Sequence, residues 1–154
     1  MPLETPAAQL AGFMAKYTPA MVKEGRAALM RLRRLVPGAV QMVYDNWNGL
    51  VVGFGPNDRP SDAVVSILMT PDHLSLCFIH DAPDLPDPEH LLQGSGTVVR
   101  HIKLGSARDL DRPAIRALIK AAVSRADVPF DRKGRGKLVI KSISKRQRPR
   151  RPTV

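Results

Sequence analysis

Four runs rich in β-branched residues follow one another from Val40 onward, Val40–Asp45, Leu50–Phe54, Ala63–Met69 and Leu74–His80, and the links between them are short. The first link is Asn46 to Gly49, the second Gly55 to Asp62, the third Thr70 to Asp72. A parallel crossover consumes about a dozen residues or more, so links of this length leave only antiparallel reversals between neighbours. An antiparallel meander is the expectation. A fifth strand is expected at Thr97–Leu104, after a longer connection from His80 to Gly96 that holds Asp81, Asp84, Asp87 and Glu89. Within that connection Asp87 followed by Pro88 reads as a helix cap and first helical residue, and Gly94 suits a left-handed end, which predicts one helical turn.

The flanks of the meander carry the other period. Thr5 and Pro6 form a cap and first helical residue, with Leu10, Phe13, Met14 and Tyr17 recurring at helical spacing. Thr18 and Pro19 start a second helix, which turns Met21, Val22, Gly25, Leu29, Leu32 and Val36 to one face and stops at Pro37 and Gly38. Its Lys23, Arg26, Arg31, Arg33 and Arg34 read as an ordinary solvated face. A last helix begins near Asp111 to Pro113 and buries Ile115, Leu118, Ile119, Ala122 and Val123. Leu138–Ile143 has strand composition and suits a sheet edge, where Lys137 and Lys141 discourage aggregation. The expected fold is therefore α+β: two N-terminal helices, an antiparallel sheet of about five strands, a C-terminal helix and a possible extra edge strand. Residues 1–143 form one domain in this reading, and 144–154 a flexible basic tail with nothing apolar to bury before Val154.

Charge is distributed unevenly along the 154 residues. The net charge is +10, yet all 14 acidic side chains lie at or before Asp131, where 14 basic ones balance them. The whole excess falls beyond that point, which excludes a uniformly basic, histone-like surface. Within the tail, Lys145, Arg146, Arg148, Arg150 and Arg151 are candidates for a polyanion, and five such charges give a salt slope of about −4 in log K. The tail has no aromatic residue to stack on bases, so nucleic-acid attraction through it would be weak and non-specific. Solubility, or pairing with the acidic connection, are the competing roles.

Catalytic and metal patterns are sparse. Cys77 is the single cysteine, so no intrachain disulfide forms, and a reducing, cytoplasmic location is expected with no membrane span. On a strand, His73 and Cys77 share a face while His80 points the other way, which defeats a local three-ligand chelate. Asp84, Asp87 and Glu89 remain weak oxygen-ligand candidates for a hard cation. Cys77 sits in an apolar run, which favours an inert thiol. No G-x-S-x-G elbow is present, and Gly134-x-Gly136-Lys137 lacks the upstream glycine and the Ser or Thr of a phosphate loop, so it reads as a flexible hinge. No cofactor is expected, and the chain reads as a non-enzymatic binding module.

The runs MVYDNWNGLVVGFGP at 42–56 and RPSDAVVSI at 59–67 resemble the YdhG-like family, known as domain of unknown function 1801, as do LPDPEHLLQGSGTVVRHIKL at 85–104 and KLVIKSISKRQRPRR at 137–151. The resemblance spans nearly the whole chain and implies an antiparallel sheet flanked by helices, in a family found mostly in bacteria. Some relatives carry a frataxin-like iron-chaperone label. Chaperones of that type present acids along the first helix, whereas here that helix has none after Glu4 and the second has only Glu24. The resemblance also marks Tyr44, Asp45, Trp47 and Asn48 at one strand end, and Arg100 and His101 on another strand. Brought together, these six would line a polar pocket for an unknown small molecule or protein partner.

Overall fold

The structure, a computed structural model, describes residues 4–152. Thr5 and Thr18 each turn a hydroxyl back to accept an N–H of the first turn, from Ala8 and Met21, and a proline follows each at the first helical position. These caps satisfy donors that a helix leaves open and start α1 (Pro6–Met14) and α2 (Pro19–Leu35). A third helix, α3 (Pro113–Ser124), follows a short 3-10 turn at Ala107–Asp111 that the sequence pattern did not announce.

Six strands form one sheet: β1 (Val40–Asp45), β2 (Leu50–Gly55), β3 (Val65–Met69), β4 (Leu74–Phe78), β5 (Arg100–Leu104) and β6 (Leu138–Ile143). Their order is β5-β4-β3-β2-β1-β6. The first five make the expected antiparallel meander, and β6 joins β1 in parallel with an irregularity between Val43 and Tyr44. Thr97–Val99 lie outside β5, and Val98 and Val99 are exposed. In the long connection the 3-10 turn is at Ala82–Asp84, earlier than expected, while Asp87 still caps a turn by accepting from the N–H groups of Leu91 and Leu92.

Strand alternation divides the sheet into two faces. Register places Val43, Val52, Ile67 and Leu76 in one cross-strand row, and these residues join Leu29, Leu32, Ile115 and Ile119 in the core beneath the helices. The same alternation gives β1 a polar residue at each end of its core-facing side, Gln41 opposite Phe54 and Asp45 opposite Leu50. Both are buried. Tyr44 therefore faces away from the helices.

Residues 144–152 depart from the expected flexible tail. They lie against the β1–β2 turn, where Ser144 N–H donates to Asp45 O and Arg148 N–H to Trp47 O, and Arg150 is buried. The physical reason is Asp45: a carboxylate wholly out of solvent needs cationic partners, and the tail supplies one. The last two residues of that tail fall outside the described ones. No helix among the described residues is long and apolar enough to cross a membrane.

Candidate anion-binding site

The sheet order separates the six residues expected to line one pocket. Arg100 and His101 are on β5 and Tyr44 and Asp45 on β1, with β4, β3 and β2 between them, a span of about 19 Å at the usual strand spacing. Alternation divides them further, since Asp45 faces the helices and Tyr44 the opposite side. The Arg100 guanidinium is used locally, its Nε donating to Gly96 O at 2.9 Å. What does come together is Asp45, Trp47 and Asn48 with the C-terminal segment.

Asp45 is the centre of that cluster. One oxygen accepts from Lys16 Nζ at 2.7 Å and the other from Arg150 Nη2 at 3.0 Å, and the Asp45 side chain is wholly out of solvent. Arg150 also donates to the carbonyls of Asn46 and Trp47 and stands over the Tyr17 ring. Gln147 bridges Lys16 to the Asp45 backbone. Arg148 stacks on the half-exposed Trp47 indole and donates to Asn48 Oδ1. Among the described residues the buried side-chain polar atoms here all have a partner, apart from Arg150 Nε. The cluster is a clasp that closes the C-terminus over the end of β1, and burial withdraws Arg150 from any polyanion surface. Lys145, Arg146, Arg148 and Arg151 stay exposed.

The acidic connection holds no convergent ligand set. Both Asp87 oxygens accept backbone N–H groups, while Asp84 and Glu89 face solvent. Among the described residues no three His, Cys, Asp or Glu side chains gather around a common point. Burial is the main influence on the Cys77 thiol and raises its pKa above 9.0, against a hydrogen bond from Ser66 that lowers it, so the expected inert thiol has a physical basis.

A different arrangement appears at the opposite end of β1. The C-terminal end of α2, one flank of α3 and the segment before β6 enclose two cavities, of about 430 Å³ and about 320 Å³, that share Val36, Pro37 and Arg132. The larger has an apolar floor of Leu35, Ile119, Val123 and Phe130, rimmed by Arg34, Arg116 and Lys120. The smaller is lined by Arg33, Gln41, Arg135 and the backbone of Gly38, Gly134 and Gly136. Among the described residues no carboxylate lines either cavity, and none of the six cations takes part in an ion pair. Their volumes lie in the range of small-molecule sites.

Glycine makes the smaller cavity possible. Gly38 takes φ of +79°, and a Cβ there would collide with the Asp131 carbonyl, so only glycine lets the end of α2 approach the 131–136 turn this closely. Asp131 holds that turn by accepting from Gly134 N–H through its carbonyl and from Lys133 N–H through its carboxylate. Arg33 is fixed by donating through Nε to Gln41 Oε1 at 2.8 Å, and partial burial lowers its pKa. Arg33 and Arg34 also offset the carbonyl end of α2. Among the described residues Arg116, Lys120, Arg132 and Arg135 make no ion pair.

Compared with known proteins, the chain matches no family model, and no curated protein or solved structure matches it significantly. The arginines of this end were visible in the sequence as a solvated helix face and the glycines as a hinge. Their convergence was not visible, because it depends on β6 pairing with β1 and thereby bringing residues 132–136 against α2.

Proposed function

We propose that the chain is a non-enzymatic binding module of the YdhG-like type, and that it takes an anionic ligand at the α2–α3 end. One observation carries this reading: six cations surround two adjoining cavities without a carboxylate among the lining residues. Like charges gathered around a concave, partly apolar space repel one another, and a bound anion relieves that repulsion while the low-dielectric walls strengthen its attraction. The runs that carry the family likeness lie on the β1–β2 hairpin and on the C-terminal segment clasped to it. A reducing, cytoplasmic setting suits a chain with one thiol that is half-buried.

Calorimetric titration with inorganic pyrophosphate tests the reading. Saturable binding is expected in the native protein and a loss of at least about tenfold in affinity is expected for the Arg132→Gln, Arg135→Gln double variant, equivalent to roughly 1.4 kcal/mol. Absence of binding heat across several temperatures would reject it. Weak polyanion attraction through the C-terminus is a second reading, favoured by the four cations of that segment that stay exposed.

A further inference from the structure

The two cavities differ in chemistry, and that difference defines a ligand class. The smaller one is polar: Arg33, Arg132 and Arg135 line a space bounded by glycine backbone, where an anionic group can approach closely. The larger is floored by Ile119, Val123 and Phe130 and is charged only at its rim. Arg132, Val36 and Pro37 line both, so the two cavities adjoin across these residues. A small inorganic anion satisfies the polar half and leaves the apolar half wet. A neutral hydrophobic molecule does the reverse.

We infer that the site takes a bipartite ligand: one anionic head group, a phosphate monoester or similar, joined to a compact aryl or short alkyl body. The inference rests on the anion-binding reading above and adds the apolar half to it. The head sits against Arg33, Arg132 and Arg135, and the body lies on Phe130 between α2 and α3. Burying that body releases its apolar surface from water, which favours the joined molecule over either fragment.

Three probes separate the halves: 1-naphthyl phosphate, inorganic phosphate and 1-naphthol, each titrated into the full chain. The joined probe is expected to bind at least about tenfold more tightly than either fragment. Ala117 lies exposed at the mouth of the larger cavity, so Ala117→Trp fills that space without disturbing the core. This variant is expected to abolish the advantage of 1-naphthyl phosphate while leaving inorganic phosphate binding unchanged. Arg132→Gln with Arg135→Gln is expected to weaken both phosphates and spare 1-naphthol. Equal affinity for the two phosphates, or an Ala117→Trp variant that retains the advantage, would overturn the bipartite ligand and leave the anion site standing. Binding of neither phosphate would remove both.

Discussion

Arg150 donates to the Asp45 carboxylate at 3.0 Å across 105 residues of chain, and both side chains are almost entirely hidden from water. Such a pair is costly to assemble, because both charges lose hydration, and costly to break, because the survivor stays buried. The C-terminus is thereby a structural part of the domain. Lys16, two residues past the end of α1, supplies the second cation to the same carboxylate.

Removing the charge of Asp45 is accordingly expected to cost far more than removing that of Lys16. Asp45→Asn leaves Arg150 buried without its anion and should lower stability by about 3–5 kcal/mol. Lys16 is 41% exposed on its side chain, and Lys16→Met should cost about 1 kcal/mol or less. Urea midpoints at pH 7 compare the two. Equal losses would show that the buried pair is not what holds the segment.

Tyr17 links the clasp to the sheet, its hydroxyl donating to Met69 O at 2.9 Å and accepting from Leu50 N–H at 3.1 Å. Tyr17→Phe leaves those two backbone groups without a partner and should cost about 1–3 kcal/mol. Burial is the main cause that raises the Tyr17 pKa above 10.0; Asp45 adds to it, and Arg150 and the Leu50 hydrogen bond oppose it. A raised folded pKa means that the stabilisation is complete below the unfolded value and lost as pH rises through the folded one. Burial raises Tyr44 and Cys77 as well, so the native protein should weaken above roughly pH 9, and the Tyr17→Phe variant should decline less steeply above about pH 10. Thermal melts between these limits give the two slopes, and parallel curves would refute the role of the Tyr17 proton.

Cys77 offers a kinetic check on the outer face of the sheet. Its raised pKa leaves little thiolate near neutral pH, so an aromatic disulfide reagent at pH 8 should react at least about tenfold more slowly than with the urea-unfolded chain. A native rate equal to the unfolded one would mean that the thiol is not shielded by the sheet.

The short links between the strands determined the meander, because chain length alone forbade parallel neighbours. Threonine–proline pairs located α1 and α2 for a similarly local reason. The site was less legible. Asp45 occupies a position where β alternation alone would call for an apolar residue, and its burial becomes intelligible only with the distant Lys16 and Arg150 in place. Likewise residues 144–152 have the composition of a disordered segment, and the entropy of ordering them is opposed by contacts with the distant β1–β2 turn, the buried carboxylate foremost. Arg132 and Arg135 acquire their neighbours on α2 through the parallel pairing of β6, a contact between distant parts of the chain that no local pattern encodes.

Position rather than charge should decide which C-terminal residues meet a polyanion. Lys145 and Arg146 are exposed and hold no ion pair among the described residues, whereas Arg150 is committed to Asp45. Each neutralised phosphate contributes about 0.9 to the salt slope, so Lys145→Gln with Arg146→Gln should reduce the slope on a heparin column or a DNA duplex by roughly 2. Arg150→Lys preserves the charge but loses the forked geometry that reaches Asp45 and two carbonyls. It should lower the melting temperature and leave the salt slope as it was. An unchanged slope in the Lys145, Arg146 double variant would show that the exposed part of this segment does not engage polyanions.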